Sequence, residues 1–206
     1  MPTILVANPK GGAGKSTLAT NIAGYLASQG HVVMLGDADR QQSARAWLQR
    51  RPATCPAIDT WNIDDKHIAR PPQGVSHVVL DTPAGLHGWR LNELLEMADR
   101  IVVPILPSLF DILASQDFLE QLLEQIPSRQ HAEKIAIVGM RVDVRTRAAE
   151  QLERFVETLG LPVLAYLRST QNYVQLAAHG LTLFDVAPSR VQRDREQWQD
   201  IIRWLE

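Results

Sequence analysis

The chain has 206 residues, 45 % of them hydrophobic and 21 % charged, a balance that excludes wholesale disorder and fits one domain over residues 1–206. Lysine and arginine total 21 against 23 aspartate and glutamate, so a net charge of −2 supplies no general attraction for nucleic acid. The single cysteine, Cys55, excludes a disulfide framework, and no uncharged apolar run approaches the roughly 18 residues of a membrane-spanning helix.

In chain order, Thr3–Ala7 is a short apolar strand with no basic leader before it, which leads us to expect a cytoplasmic protein. It runs into Asn8-Pro9-Lys10-Gly11-Gly12-Ala13-Gly14-Lys15-Ser16-Thr17 and then a helix over Ser16–Gln29, with Gly30 as its C-cap. A strand, glycines and then Gly-Lys-Ser at the head of a helix form a phosphate loop, although Pro9 takes the place of the usual first glycine. Residues without a Cβ let consecutive N–H groups curl around phosphate oxygens at the positive end of the helix. Lys15 is placed for the β- and γ-phosphates and the Ser16 hydroxyl for Mg²⁺.

The next strand, His31–Gly36, ends in Asp37-Ala38-Asp39-Arg40-Gln41. Continued strand alternation would point Asp37 and Asp39 the same way, one to hold the Mg²⁺ shell and the other to orient water. Arg51–Gly74, with four prolines, reads as an irregular peripheral excursion. His77–Leu80 is a buried strand followed by Asp81, the arrangement that reaches Mg²⁺ directly or through water. Ile101–Ile105 is a further strand, and helical spacing covers Asp111–Ile126.

Ile135–Gly139 is followed by Met140-Arg141-Val142-Asp143, which lacks the Asn and Lys of a guanine-reading Asn-Lys-x-Asp, so ATP is favoured over GTP. A helix over Thr146–Leu159 with Gly160 as C-cap and a strand over Val163–Leu167 complete the alternation. The predicted architecture is an α/β, doubly wound, mostly parallel sheet with helices on both faces. A terminal helix with Ser189 and Gln192 as a capping box carries the apolar stripe Val191, Trp198, Ile201, Ile202 and Leu205, which reads as core-facing.

With these residues assembled, the chain resembles the ParA/MinD family of deviant Walker ATPases, most closely the short ParA-type partition ATPases without an N-terminal DNA-reading domain. Lys10 to Thr17 matches the family's KGGxGK[ST]T loop, Asp37 to Gln41 its DxDPQ box, and Val79 to Gly85 its Walker B segment. Arg40 departs from the family proline.

The resemblance implies a P-loop NTPase fold of the deviant Walker A type and slow, partner-stimulated hydrolysis of Mg²⁺-ATP. Lys10 would reach across an ATP-dependent homodimer to the partner's phosphates. Lys15 and Asp39 would share the catalytic work, with Asp39 positioning water. Lys10, Gly11, Gly12, Ala13, Gly14, Lys15, Ser16 and Thr17 would bind nucleotide, and Ser16, Asp37 and Asp81 would serve Mg²⁺. Arg141 either flanks the adenine or is a solvated strand-end residue.

The family also implies non-specific binding to nucleoid DNA and a ParB-like or centromere-binding adaptor that releases a plasmid, chromosome locus or other cargo. Residues 129–206 carry 11 basic against 10 acidic side chains, so DNA binding rests on local arginines. Those candidates are Arg145, Arg147, Arg168, Arg190, Arg193 and Arg195; the last three can equally be a solvated helix face. A MinD-like membrane-surface regulator is the alternative, disfavoured because Asp194, Glu196, Asp200 and Glu206 dilute the terminal helix's basic character.

Overall fold

The computed structural model describes residues 1–39, 41–61, 73–127 and 131–206. Seven strands form one sheet in the order β3-β2-β4-β1-β5-β6-β7, and every described pairing is parallel. They are β1 (Thr3–Val6), β2 (Val33–Asp37), β3 (Ile58–Trp61), β4 (His77–Asp81), β5 (Arg100–Ile105), β6 (Ile135–Met140) and β7 (Val163–Leu167). The crossovers are α1 (Lys15–Ser28), α2 (Ser43–Leu48), α3 (Gly88–Met97), α4 (Leu109–Gln125), α5 (His131–Lys134) and α6 (Arg147–Leu159). After β7 come α7 (Gln171–Ala178), a 3₁₀ turn over Pro188–Arg190, α8 (Gln192–Glu196) and α9 (Gln199–Leu205).

The strands read as continuous apolar runs because both faces are covered, and alternation divides each run between two layers. Ile4, Val6, Val33, Leu35 and Val138 face α1, α2, α7 and α9, while Leu5, Val78, Leu80, Val103 and Ile137 face α3, α4 and α6. Such side chains contribute roughly 1.5–3 kcal/mol each when fully buried. The doubly wound order opens crevices at the carboxyl ends of the strands, where the loops after β1, β2 and β4 converge.

Several expectations shift. β3 lies inside the segment expected to be irregular; its burial falls on Trp61 at one end while Asp59 and Thr60 are exposed, so it carries no apolar run. β2 starts at Val33 rather than His31, with Val32 half exposed ahead of it. The helices α2, α3 and α7 add to the expected set. Thr146 caps α6 by accepting from the Ala149 N–H at 3.2 Å, and Gly160 takes the left-handed conformation at its end, as the sequence suggests.

The terminal helix is broken where one helix was expected. Val191, not Ser189, precedes α8, and no side chain caps it. The chain turns again at Trp198, whose ring is fully buried between α8 and α9 and whose Nε1–H donates to the Tyr173 hydroxyl at 2.9 Å. Ile201 and Leu205 are buried as the apolar stripe requires. Among the described residues no helix is long and apolar enough to cross a membrane.

Candidate functional site: the phosphate loop and its carboxylates

The turn from β1 to α1 needs residues that tolerate left-handed backbone. Gly12 has φ 78° and Gly14, at the N-cap of α1, has φ 99°; a Cβ on Gly14 would also press within 2.7 Å of the Met140 side chain. Asn8, 2 % exposed, braces the loop from below. Its carbonyl accepts from the Lys10 N–H at 2.8 Å, and its amide donates to the Pro104 carbonyl and the Ser115 hydroxyl. Sequence reading passed over Asn8, although an amide directly before a glycine-rich turn is itself a turn-forming signal.

Gly11, Gly12, Gly14, Lys15, Ser16 and Thr17 line a cleft of about 530 Å³, facing Asp39, Gln41 and Ser43 on one side and Arg141 on another. Ala13 is buried in the loop's wall. The Lys15 ammonium folds back to donate to the Lys10 carbonyl at 2.9 Å, a bond that an arriving phosphate can replace. Burial lowers the Lys15 pKa, opposed by the carboxylates of Asp81 and Asp39.

Lys10 is brought to the loop but not into the cleft. Its ammonium lies 3.6 Å from Asp111 Oδ1 at the start of α4, with its side chain 35 % exposed. Asp111 is mostly buried and its other oxygen takes the Ser108 hydroxyl. Helical spacing marks Asp111 only as a helix start; its place beside Lys10 depends on β5 lying next to β1.

Asp81 sits at the end of β4, 1 % exposed, and neither carboxylate oxygen completes a hydrogen bond. The nearby Ser16 hydroxyl and the Lys15 charge favour its ionised form, but burial dominates and pushes its pKa up to about 7. A buried carboxylate with two unpartnered oxygens behind a serine hydroxyl fits a hard cation with oxygen ligands. Ser16 and Asp81 are therefore the residues that can hold Mg²⁺, directly or through water.

Asp37 and Asp39 diverge, because the strand geometry stops at Asp37. Asp37 accepts from the backbone N–H groups of Asp39 at 3.0 Å, Ala44 at 2.8 Å and Arg45 at 3.1 Å, so it caps α2 and shapes the loop before it. Burial raises its pKa against those three donors. Asp39 faces the cleft and accepts from the Gln41 N–H at 3.0 Å. Arg40, between them in the departure from the family box, lies outside the described residues.

A model of the CobQ/CobB/MinD/ParA nucleotide-binding domain matches residues 4–183, spanning this loop and all three carboxylates. The chain belongs to that family. Its sheet and loop are those of a P-loop NTPase of the ParA/MinD type. It is 30 % identical over 192 residues to maintenance of carboxysome distribution protein A of Halothiobacillus neapolitanus, covering 89 % of this chain and 87 % of that relative. It is 27 % identical over 154 residues to Protein ParA of Rhizobium radiobacter, covering 73 % and 69 %. A plasmid partition protein from Borrelia burgdorferi bound to AMPPNP shares the fold with a TM-score of 0.74 at 16 % identity, over 98 % of both chains.

Within this family member the six arginines singled out for DNA fall into two groups. Arg145 forms an exposed ion pair with Asp143 at 2.9 Å, which holds that carboxyl down at about 2. Arg168 donates to the fully buried Asp194 at 2.6 Å, and Arg195 stacks 5.3 Å from the Phe184 ring. Arg147, Arg190 and Arg193 form no ion pair among the described residues. The Arg168–Asp194 contact brings the end of β7 against α8, so Arg168, Arg193 and Arg195 belong to one neighbourhood. Arg141, with φ 54°, is turned by its left-handed backbone to the rim of the cleft.

Proposed function

We propose that the chain is a Mg²⁺-ATP-dependent dimerising switch that binds DNA without sequence preference in its ATP state and positions a cargo through a stimulating adaptor. The observation that carries this reading is the separation of the two loop lysines. Lys15 is buried against the phosphate position, whereas Lys10 leaves the cleft and stands partly exposed at the loop's edge. A lysine in that place can serve the phosphates of a facing subunit, neutralising charge that develops at the transferred phosphoryl group.

In each subunit Lys15 would hold the β- and γ-phosphates against the loop N–H groups, and Asp39 would orient the attacking water from the cleft wall. Mg²⁺, bound at Ser16 and Asp81 with Asp37 in support, would supply neutralisation of the phosphate charge. Asp37 also holds Asp39 in place through the Asp39 N–H. A nucleotide trapped between two subunits turns over slowly until a partner acts, and ATP favours the closed dimer by binding it better than the monomer.

Arg147 and Arg193, uncommitted to carboxylates, best suit DNA phosphates. The apolar stripe of the terminal segment is used in the core at Trp198, Ile201 and Leu205, which favours nucleoid DNA over a membrane as the platform. The similarity to carboxysome distribution proteins and to a ParA protein supports a positioning role, with a carboxysome, plasmid or chromosome locus as the cargo.

The deciding experiment is binding to random-sequence duplex DNA with ATP, with ADP and without nucleotide, repeated over a salt series and with Lys10→Ala. We expect ATP-only binding that weakens steeply with salt and is lost in the variant. Dimerisation by ATP with no DNA binding in any nucleotide state would overturn the reading, and anionic liposomes would then be the platform to test.

A further inference from the structure

A second depression opens beside the nucleotide cleft, between α1, α2 and α7. Its inner part, about 410 Å³, is floored by Thr17, Thr20, Ala46 and Ala177. Its outer part, about 700 Å³, continues past Arg50 and Ala178 to Leu176, Leu181 and Arg190. Ser16, Thr17 and Ser43 line both the inner part and the nucleotide cleft, and Arg50 and Ala178 line both parts of the depression. Through these shared residues the three adjoin, as a trough beside the phosphate position.

The walls of this trough are fixed. Gly180, at the end of α7 with φ 68°, lets the Arg50–Arg51 backbone approach so closely that a Cβ would stand 2.4 Å from it. Arg51 then clasps Asp185 with two bonds of 2.9 and 2.8 Å, both side chains almost fully buried, and donates to the Gly180 carbonyl. The gap between the ends of α2 and α7 is therefore preformed.

Its chemistry is one-sided. No carboxylate lines either part, in a chain with more acidic than basic residues. The Arg50 guanidinium, just past the end of α2, donates to the Ala46 carbonyl within it, and neither Arg50 nor Arg190 forms an ion pair among the described residues. Between these charges the surface is apolar, with Pro52, Leu176 and Leu181 on the outer part and Trp47 on the inner. A duplex backbone meets protein through polar and cationic contacts and does not insert into an apolar hollow. Side chains of a peptide do.

We infer that this trough is the docking site for an acidic segment of a partner protein, anchored by apolar side chains and flanked by carboxylates that meet Arg50 and Arg190. The inference rests on the switch reading, because the inner end of the trough touches Ser16 and Ser43, next to the phosphate and Mg²⁺ positions. A segment seated there contacts α2, whose first turn is held by Asp37, and so bears on the placement of Asp39.

The test selects a display library of random peptides on the full chain in Mg²⁺-ATP, then measures enriched peptides against Arg50→Glu and Ala178→Trp. Neither residue belongs to the nucleotide or DNA machinery. Enriched peptides should combine Asp or Glu with Leu or Phe, and both variants should weaken them by about tenfold or more, roughly 1.4 kcal/mol. ATP-dependent DNA binding by the same variants should stay near that of the parent, which also reports that they fold. Enrichment of basic or uncharged peptides, no enrichment, displacement of the peptides by duplex DNA, or undiminished binding by Arg50→Glu would each overturn the inference. Failure of the parent chain to bind DNA with ATP strikes the switch reading instead, so the two failures are distinguishable.

Discussion

Asp81 shows how a side chain proposed for Mg²⁺ can be costly to the fold. Its pKa of about 7 means that the folded state holds the carboxyl proton more tightly than the unfolded chain does. Stability linked to Asp81 is therefore fully present below its unfolded value near 3.8 and is lost as pH rises through about 7. Asp81→Asn should raise the melting temperature of the nucleotide-free protein at pH 8 and have a diminishing effect towards pH 5, while abolishing Mg²⁺-dependent turnover. Thermal unfolding across that range checks the sign; a destabilised variant at pH 8 would show that the carboxylate is partnered. The arginines proposed for DNA divide at the same scale. Arg168→Ala should cost about 1–3 kcal/mol in urea unfolding, because it removes one partner of a buried carboxylate and leaves, among the described residues, Asn172 alone. Arg147→Ala and Arg193→Ala should leave stability nearly unchanged and each lower the salt slope of DNA binding by about one.

Short elements with few contacts of their own depend on single anchors. The end of α7 meets the end of α2 only because Gly180 has no Cβ, so Gly180→Ala combines a backbone collision with a left-handed φ. It should destabilise the protein by about 2 kcal/mol or more, measured by denaturant unfolding. Asp185 is held below its ordinary pKa: burial would raise it, but the Arg51 guanidinium and the Thr182 hydroxyl outweigh burial. Its contribution is thus present at neutral pH and lost as pH falls through that lowered value. Asp185→Ala should cost about 3–5 kcal/mol at pH 7, because it strands a buried guanidinium.

At the scale of the whole molecule, the terminal segment closes one layer of the core rather than projecting from it. Trp198, Ile201 and Leu205 pack with α1, and the Tyr25 hydroxyl donates to the Glu206 carboxylate at 2.7 Å. Deleting residues 199–206 should therefore abolish cooperative unfolding and soluble expression. A soluble, nucleotide-binding truncated protein would instead identify the segment as a detachable anchor. The parallel order of the sheet also decides which loops meet: β1 lies between β4 and β5, so the phosphate loop stands beside both Asp81 and Asp111, which come from segments distant in the chain.

The amino-acid sequence alone determined the phosphate loop, the strand-end carboxylates and the strand–helix alternation. Glycine freedom, apolar periodicity and capping are properties of a few neighbouring residues, and Thr146, Gly160 and Gly14 act in the structure as their local chemistry dictates. The same local reading missed β3, because an edge strand with one buried tryptophan has no apolar run to display. It also expected one terminal helix where the buried ring of Trp198 imposes a turn. Tertiary structure alone decided that Lys10 rests on Asp111, that Asp37 caps α2 while Asp39 faces the cleft, and that Arg168 is tied to Asp194. Each of these depends on which residues the crossovers bring within a few ångströms, and charge pairing at that range is set by the path of the whole sheet rather than by spacing along the chain.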